Sequence, residues 1–211
     1  MSVVYNNILA GASGQGDAGY QIQRSIRLNS GDTSSLNRTP SSASNRKTWT
    51  WSGWVKKSAS SETNTKPLFA VNGGSSATQF TFRFDNSTDD TLRVENNFNV
   101  GSPGGKTVSV FRDYSGWMHI VLAMDTTQAN ATSGLKIYVN GVLQTLQSTV
   151  WTQNIDTQVN TTNAHFIGTE NTTNRYFDGY LADINFVDGA QLSPTSFGAF
   201  DDNGVWQAID T

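Results

Sequence analysis

The sequence predicts an all-β fold, an antiparallel two-sheet β-sandwich of jelly-roll type. Three observations predict it. Gln79–Asp85, QFTFRFD, sets Phe80, Phe82 and Phe84 on one face and Thr81 and Arg83 on the other, the period of two that a half-buried strand requires. Asn140-Gly141 stands between LKIYV and VLQTL, and both turn residues tolerate the positive φ of a tight hairpin. About twelve strand-like runs separated by turn residues fill the chain, with no helical-period segment and no fixed repeat.

Taken in order, residues 1–22 are small and polar with four glycines and read as an N-terminal arm. Its apolar residues Val3, Val4, Ile8 and Leu9 are the candidates for burial on a neighbouring subunit. The sandwich is expected over residues 23–198, followed by an acidic C-terminal tail, 199–211. Arg24–Asn29 alternates Ile26 and Leu28 with Arg27 and Asn29, and Leu36–Thr39 is a short strand ended by Pro40. In Thr48–Lys57, TWTWSGWVKK, Trp49 and Trp51 share a face, and Gly53 marks a bulge or a close backbone approach. Leu68–Asn72 is closed by Gly73-Gly74, and Gln79–Asp85 pairs with Thr91–Asn97 over a loop at Asn86–Asp90.

Thr107–Phe111 is a further strand. Trp117–Met124, WMHIVLAM, is apolar on both faces and belongs at the centre of its sheet. Leu135–Val139 and Val142–Leu146 flank the Asn-Gly turn. Gln147–Asn163 is a long polar stretch holding Trp151, and Ala164–Gly168 and Tyr176–Val187 are the last core strands. Trp49, Trp51, Trp54 and Trp117 are assigned to the core. Trp206, in DDNGVWQAID, is either a clamp on its own sandwich, the favoured reading, or an assembly anchor on another subunit.

Composition supports this class. Charged residues are 15% of the chain, against about a quarter in ordinary domains. Asn, Thr, Ser and Gly fill the difference, as expected of a turn-rich β surface at extracellular or virion sites. There is no Cys, hence no disulfide framework and no thiolate metal site. No window is apolar enough to span a membrane, and the N-terminus lacks the pattern of a signal peptide. Five Asn-x-Ser/Thr triplets, at Asn37, Asn86, Asn130, Asn160 and Asn171, read as by-products of Asn/Thr richness. The net charge is −3, unevenly spread: Arg24–Lys66 holds eight Lys/Arg and two acids, whereas Asp156–Thr211 holds eight acids and one base, Arg175. Either the two ends lie side by side and neutralise each other, or copies meet head to tail. No basic, aromatic-interleaved patch of the nucleic-acid-binding kind is present in the sequence.

The blocks WTWSGWVK, GWMHIVLAMDTT, LKIYVNGVLQ and FIGTENTTNRYFDGYLADINFVDGAQLSPTSFG, in this order over residues 24–198, resemble the concanavalin A-like lectin/glucanase sandwich, and within it the laminin-G-like branch. Their wording also resembles structural surface proteins of marine tailed bacteriophages.

The glucanase side of this resemblance implies paired carboxylates about 5 Å apart on one strand face. The three glutamates, Glu62, Glu95 and Glu170, each lack an acid two or three residues away, so no glycosidase motif is present. Only two histidines occur. His119 lies inside an apolar strand as a hydrogen-bonded core residue, and His165 starts a strand. No Gly-x-Ser-x-Gly elbow and no zinc ligand set exist. The chain is therefore expected not to be an enzyme.

Calcium is the one cofactor the resemblance leaves open. The loop acids Asp85, Asp89 and Asp90 are its candidate ligands, against the alternative of an ordinary Asx-rich turn. Asp178 and Asp183 with Asn171 and Asn174 are either a second such set or loop-ordering acceptors. A glycan needs an aromatic platform beside polar groups that read hydroxyls. Trp151, with Asn171, Asn174, Arg175 and Tyr176, is the candidate platform and reader, Trp151 alternatively capping a sheet edge. With no enzyme motif present, the resemblance to phage surface proteins implies a non-enzymatic virion surface protein, homo-oligomeric and in contact with other virion subunits, serving capsid or tail decoration. The alternative is a receptor-binding or adhesive module for host glycans, with or without calcium.

Overall fold

A computed structural model describes residues 20–58, 65–85, 90–97, 102–170 and 175–211. Val3, Val4, Ile8 and Leu9 of the arm, and Asp89, Asn171 and Asn174, lie outside the described residues.

Two antiparallel sheets face each other. The strands are β1 (Ile26–Leu28), β2 (Leu36–Arg38), β3 (Thr48–Lys57), β4 (Lys66–Asn72), β5 (Gln79–Phe84), β6 (Thr91–Asn96), β7 (Gly104–Val110), β8 (Met118–Asp125), β9 (Leu135–Val139), β10 (Val142–Leu143), β11 (Leu146–Val150), β12 (Ala164–Ile167), β13 (Gly179–Asp188), β14 (Gly198–Phe200) and β15 (Trp206–Ala208). One sheet runs β1-β13-β3-β8-β9-β10, the other β11-β7-β6-β5-β4-β12-β2, and β14 and β15 form a separate hairpin. The all-β sandwich expected from the sequence is the fold observed; among the described residues its helical parts are one α-helical turn, Ala131–Gly134 before β9, and short 3-10 turns at Ser30–Asp32, Ser76–Thr78 and Pro194–Ser196.

The core is where the inward faces of β3 and β5 meet. Trp49, Trp51 and Val55 point inward with Gly53 between them, and Phe80, Phe82 and Phe84 come up from the facing sheet. Trp49 meets Phe80 edge-on at 5.3 Å and Trp51 meets Phe82 edge-on at 5.6 Å, so large rings interdigitate across the layer. β8 is buried along almost its whole length between β3 and β9, as its two apolar faces predict.

At Gly53 the structure refines the expectation. β3 pairs with β8 without interruption through Gly53. The bulge lies instead on β13, where the register slips between Ala182 and Asn185 and Asp183 takes φ +46°. Gly53 is the close approach: a Cβ there would stand 2.9 Å from the ring of Trp51.

The polar stretch after the Asn140-Gly141 turn departs from expectation. Val142–Leu146 is not one strand. The chain leaves β10 at the edge of one sheet and enters β11 at the edge of the other. β11 is almost wholly exposed, so its sequence carries no inward apolar alternation.

The uneven charge resolves into neighbours. The basic N-terminal strands β1 and β3 flank β13, and β2 and β4 flank β12. The acidic tail is not free: β14 and β15 pair with each other, and Trp206 is buried.

Candidate functional site

Outward residues of β3 are Ser52, Trp54 and Lys56, because Trp49, Trp51 and Val55 occupy the inward parity. Trp54 is paired with His119 of β8 and Ala182 of β13, and its ring lies 5.2 Å from that of His119. Trp117, just before β8, is 39% exposed and lies 6.4 Å from the ring of Tyr180 on β13. Residues 20–25, leading into edge strand β1, border this face on one side, and Gln207 and Ala208 of β15 border it elsewhere. Together they enclose a groove of about 440 Å³. Its floor is Trp54, Trp117 and Ala182, and its rim carries Tyr20, Gln21, Gln23 and Gln207, with the Gln23 amide donating to the Gln21 carbonyl and the Gln207 amide to Asp201. Assigning Trp54 and Trp117 to the core was therefore incorrect: both line this groove on the outer face. The alternation beginning at Trp49 and Trp51 already sets Trp54 on the opposite side.

His119 holds the rim in place. Its Nδ1 accepts a hydrogen bond from Trp206 Nε1 at 3.0 Å, which leaves the ring proton on Nε2, 2.8 Å from Ser52 Oγ. The Trp206 ring stacks on His119 and lies against Gly141, where a Cβ would approach within 2.4 Å. Burial pushes His119 down to about 4, so the ring is neutral near pH 7. Trp206 is thus a clamp on its own sandwich. Its indole is consumed there and is not free to anchor another subunit.

Of the residues singled out for glycan binding, the described ones, Trp151, Arg175 and Tyr176, do not come together. Trp151 is half-buried, donates from Nε1 to the Gln128 carbonyl at 3.1 Å, and lies on Gly134, where a Cβ would meet its ring at 2.1 Å. That contact is at the sheet end where Met124 pairs with Leu135. Arg175 and Tyr176 lie past β12, near Thr65 and Lys66 at the opposite end of the sandwich. Trp151 caps a sheet edge, half-buried, with its ring against Gly134 and the core. Arg175 donates to Glu170 at 2.7 Å, and Tyr176 bridges to Thr169.

The proposed calcium ligands that are described have basic partners. Asp85 accepts from Arg93 at 3.1 Å and lies 3.8 Å from Arg83. Asp90 is buried and accepts from Lys57 Nζ at 2.9 Å, with Tyr114 OH at 3.4 Å. Lys57 also reaches the Phe111 carbonyl, and the rings of Phe84 and Tyr114 flank its ammonium. Burial lowers the Lys57 pKa, against the pull of Asp90. Among the described residues no group of three or more His, Cys, Asp or Glu is placed to hold a metal.

One assembly escaped sequence reasoning. Glu95 and Glu170, 75 residues apart, both contact Arg83, at 2.6 and 3.4 Å. Arg93 joins Glu95 to Asp85, and Arg175 joins Glu170. Three guanidiniums thus hold three carboxylates on the outer face of the seven-stranded sheet, and each acid is engaged rather than free in a cleft.

A smaller hollow of about 240 Å³ lies beside β2 and Phe186. Its His165 accepts from the Asn160 N–H through Nε2 and donates from Nδ1 to the Asn163 carbonyl, and its Asn160 amide donates to Asn45 and Asp188. The groove over Trp54 and Trp117 is therefore the better site: it joins exposed indole surface to several amides.

Solved structures with this fold include domain 4 of an extracellular arabinanase from Geobacillus stearothermophilus in complex with arabinotriose, at TM-score 0.55 and 18% identity over 83% of this chain and 75% of that one. The carbohydrate-binding module of the Ruminococcus gnavus intramolecular trans-sialidase bound to α2,3-sialyllactose gives 0.52 and 14% identity, over 78% of this chain and 96% of that one. The mouse laminin α1 LG4-5 pair gives 0.53 and 11% identity over 85% of this chain, which spans about half (47%) of that one. No curated protein sequence matches the chain. Residues 29–195 match the laminin-G-type family described as the concanavalin A-like lectin/glucanases superfamily. With 167 of its 211 residues so matched and the sandwich formed as that family requires, the chain belongs to the concanavalin A-like lectin/glucanases superfamily.

Proposed function

We propose that this protein is a non-enzymatic glycan-binding module whose site is the groove over Trp54 and Trp117. The observation that carries the reading is that two indole rings of one sheet face line a single groove bordered by side-chain amides. Flat apolar rings stack on the C–H face of a sugar, and amides exchange hydrogen bonds with its hydroxyls. The groove volume, about 440 Å³, lies within the common range of small-ligand sites, about 300–1,000 Å³. The non-catalytic part of the reading is supported by Asp85, Glu95 and Glu170, which are all engaged by arginines. Fold relatives solved with arabinotriose and sialyllactose agree with a saccharide ligand. A glycan array followed by calorimetry on the wild type and Trp117→Ala tests the proposal. Binding to a glycan that disappears in the variant upholds it, and binding unaffected by the variant refutes the site.

A second reading, a structural subunit displayed in multiple copies on a virion, is favoured by one feature. Val142 and Leu143 of edge strand β10, with Phe200 and Val205 of the C-terminal hairpin, are all about half exposed around the buried Trp206. Light scattering on the wild type and Leu143→Glu tests it: a closed oligomer dissociated by the variant supports assembly through this edge, and a monomer at high concentration rejects it.

A further inference from the structure

Charge in and around the groove narrows the ligand. Among the described residues no Asp or Glu lines it, and the one cationic side chain that does is Arg24. Arg83, Arg93, Arg175 and Arg46 each have a carboxylate within 4 Å. Arg24 has no such neighbour among the described residues. Beside the groove, Arg27 lies over the ring of Tyr180 at 5.8 Å, and Tyr180 pairs with Lys56. Asp113 is near enough to Lys56 to feel its charge, and Asp201 accepts from Gln207 while capping its own turn. The cations Arg24, Arg27 and Lys56 thus gather at one aromatic face of a chain whose net charge is −3. The rim segments also matter. Residues 20–25 and 207–208 lie outside the stretch that matches the family, 29–195, so Arg24 is supplied by this chain's own extension.

We propose that the groove selects acidic saccharides, the sugar ring stacking on Trp117 and Trp54 and its carboxylate or sulfate pairing with Arg24. The inference rests on the glycan-binding reading above. A guanidinium offers a carboxylate two parallel N–H donors, and the same donors reach two oxygens of a sulfate. A groove bordered by residues 20–25 and by β15 suits one or two rings better than a continuous polyanionic strand.

The test uses the full chain and calorimetry with oligosaccharides matched in length, one carrying a carboxylate, one a sulfate ester and one neither, together with a single-stranded oligonucleotide of equal charge. Acidic forms bind at least about tenfold more tightly than the neutral form. Arg24→Gln removes that preference, while Arg38→Gln, beside the smaller hollow and remote from the groove, keeps it. The tighter of the two acidic forms identifies the anion. Equal affinity for neutral and acidic sugars, or a preference that survives Arg24→Gln, overturns this inference and leaves glycan binding standing. Tighter binding of the oligonucleotide than of any sugar, or no sugar binding at all, overturns both.

Discussion

Trp206 Nε1 donates to His119 Nδ1 across 3.0 Å, tying the C-terminal hairpin to the centre of the six-stranded sheet through a neutral imidazole. Protonated histidine donates from both nitrogens and cannot accept this bond.

This makes stability depend on acid. His119 is held down to about 4, whereas in the unfolded chain it titrates near its ordinary 6.5. The unfolded state therefore binds the proton first. The stabilisation is complete above about pH 6.5 and is lost as pH falls from there towards about 4, the total being about 3 kcal/mol and the loss at pH 5 about 2 kcal/mol. His165, also lowered by burial, acts in the same direction. Urea unfolding at pH 7 and pH 5 measures the difference. In His119→Gln the slope over this window flattens; an unchanged slope would show that the imidazole is not the titrating group.

The same clamp is sensitive at the turn beneath it. Gly141 has φ +78°, and a Cβ on it would enter the Trp206 ring. Gly141→Ala therefore combines backbone strain with displacement of the indole, for a loss of about 2–4 kcal/mol. Faster proteolysis within residues 198–211 and a red-shifted tryptophan emission are the expected signs.

Much of this architecture was legible, for reasons particular residues display. Phe80, Phe82 and Phe84 alternate because one side of β5 faces the other sheet, and Asn140-Gly141 announces its hairpin because both residues take positive φ. Strand β11 was hidden because an exposed edge strand imposes no apolar alternation. The groove was hidden more deeply. Its floor comes from residues 54, 117 and 182 and its rim from 20–25 and 207–208, so no local window contains it. The arginine–carboxylate cluster is likewise a product of sheet pairing, since β5 and β6 bring Arg83 and Glu95 together and the turn after β12 delivers Glu170.

Burial of Lys57 with Asp90 predicts an asymmetric mutational response. Both side chains are almost wholly removed from solvent. Asp90→Ala leaves an ammonium buried against Phe84 and Tyr114 with its carboxylate gone, at a cost of about 3–5 kcal/mol. Replacing the pair together, Lys57→Met with Asp90→Ala, costs less than Asp90→Ala alone. Equilibrium unfolding of the two variants checks the order, and a double variant weaker than the single would contradict it.

The tryptophans divide into two classes that mutation separates. Trp151 lies on Gly134 and donates to the Gln128 carbonyl, so Trp151→Ala opens a void at the end of the sandwich and orphans that acceptor. A loss of about 2–4 kcal/mol follows, less than a fully buried tryptophan because the ring is partly exposed, with glycan affinity unchanged. Trp117 is 39% exposed on the groove floor and contacts Tyr180. Trp117→Ala lowers stability by about 1 kcal/mol or less and, on the proposed function, abolishes measurable binding by removing the stacking surface. Melting curves and binding isotherms on both variants give the discriminating pattern. If Trp151→Ala loses binding at unchanged melting temperature, the site belongs at the Trp151 end of the sandwich and the groove assignment fails.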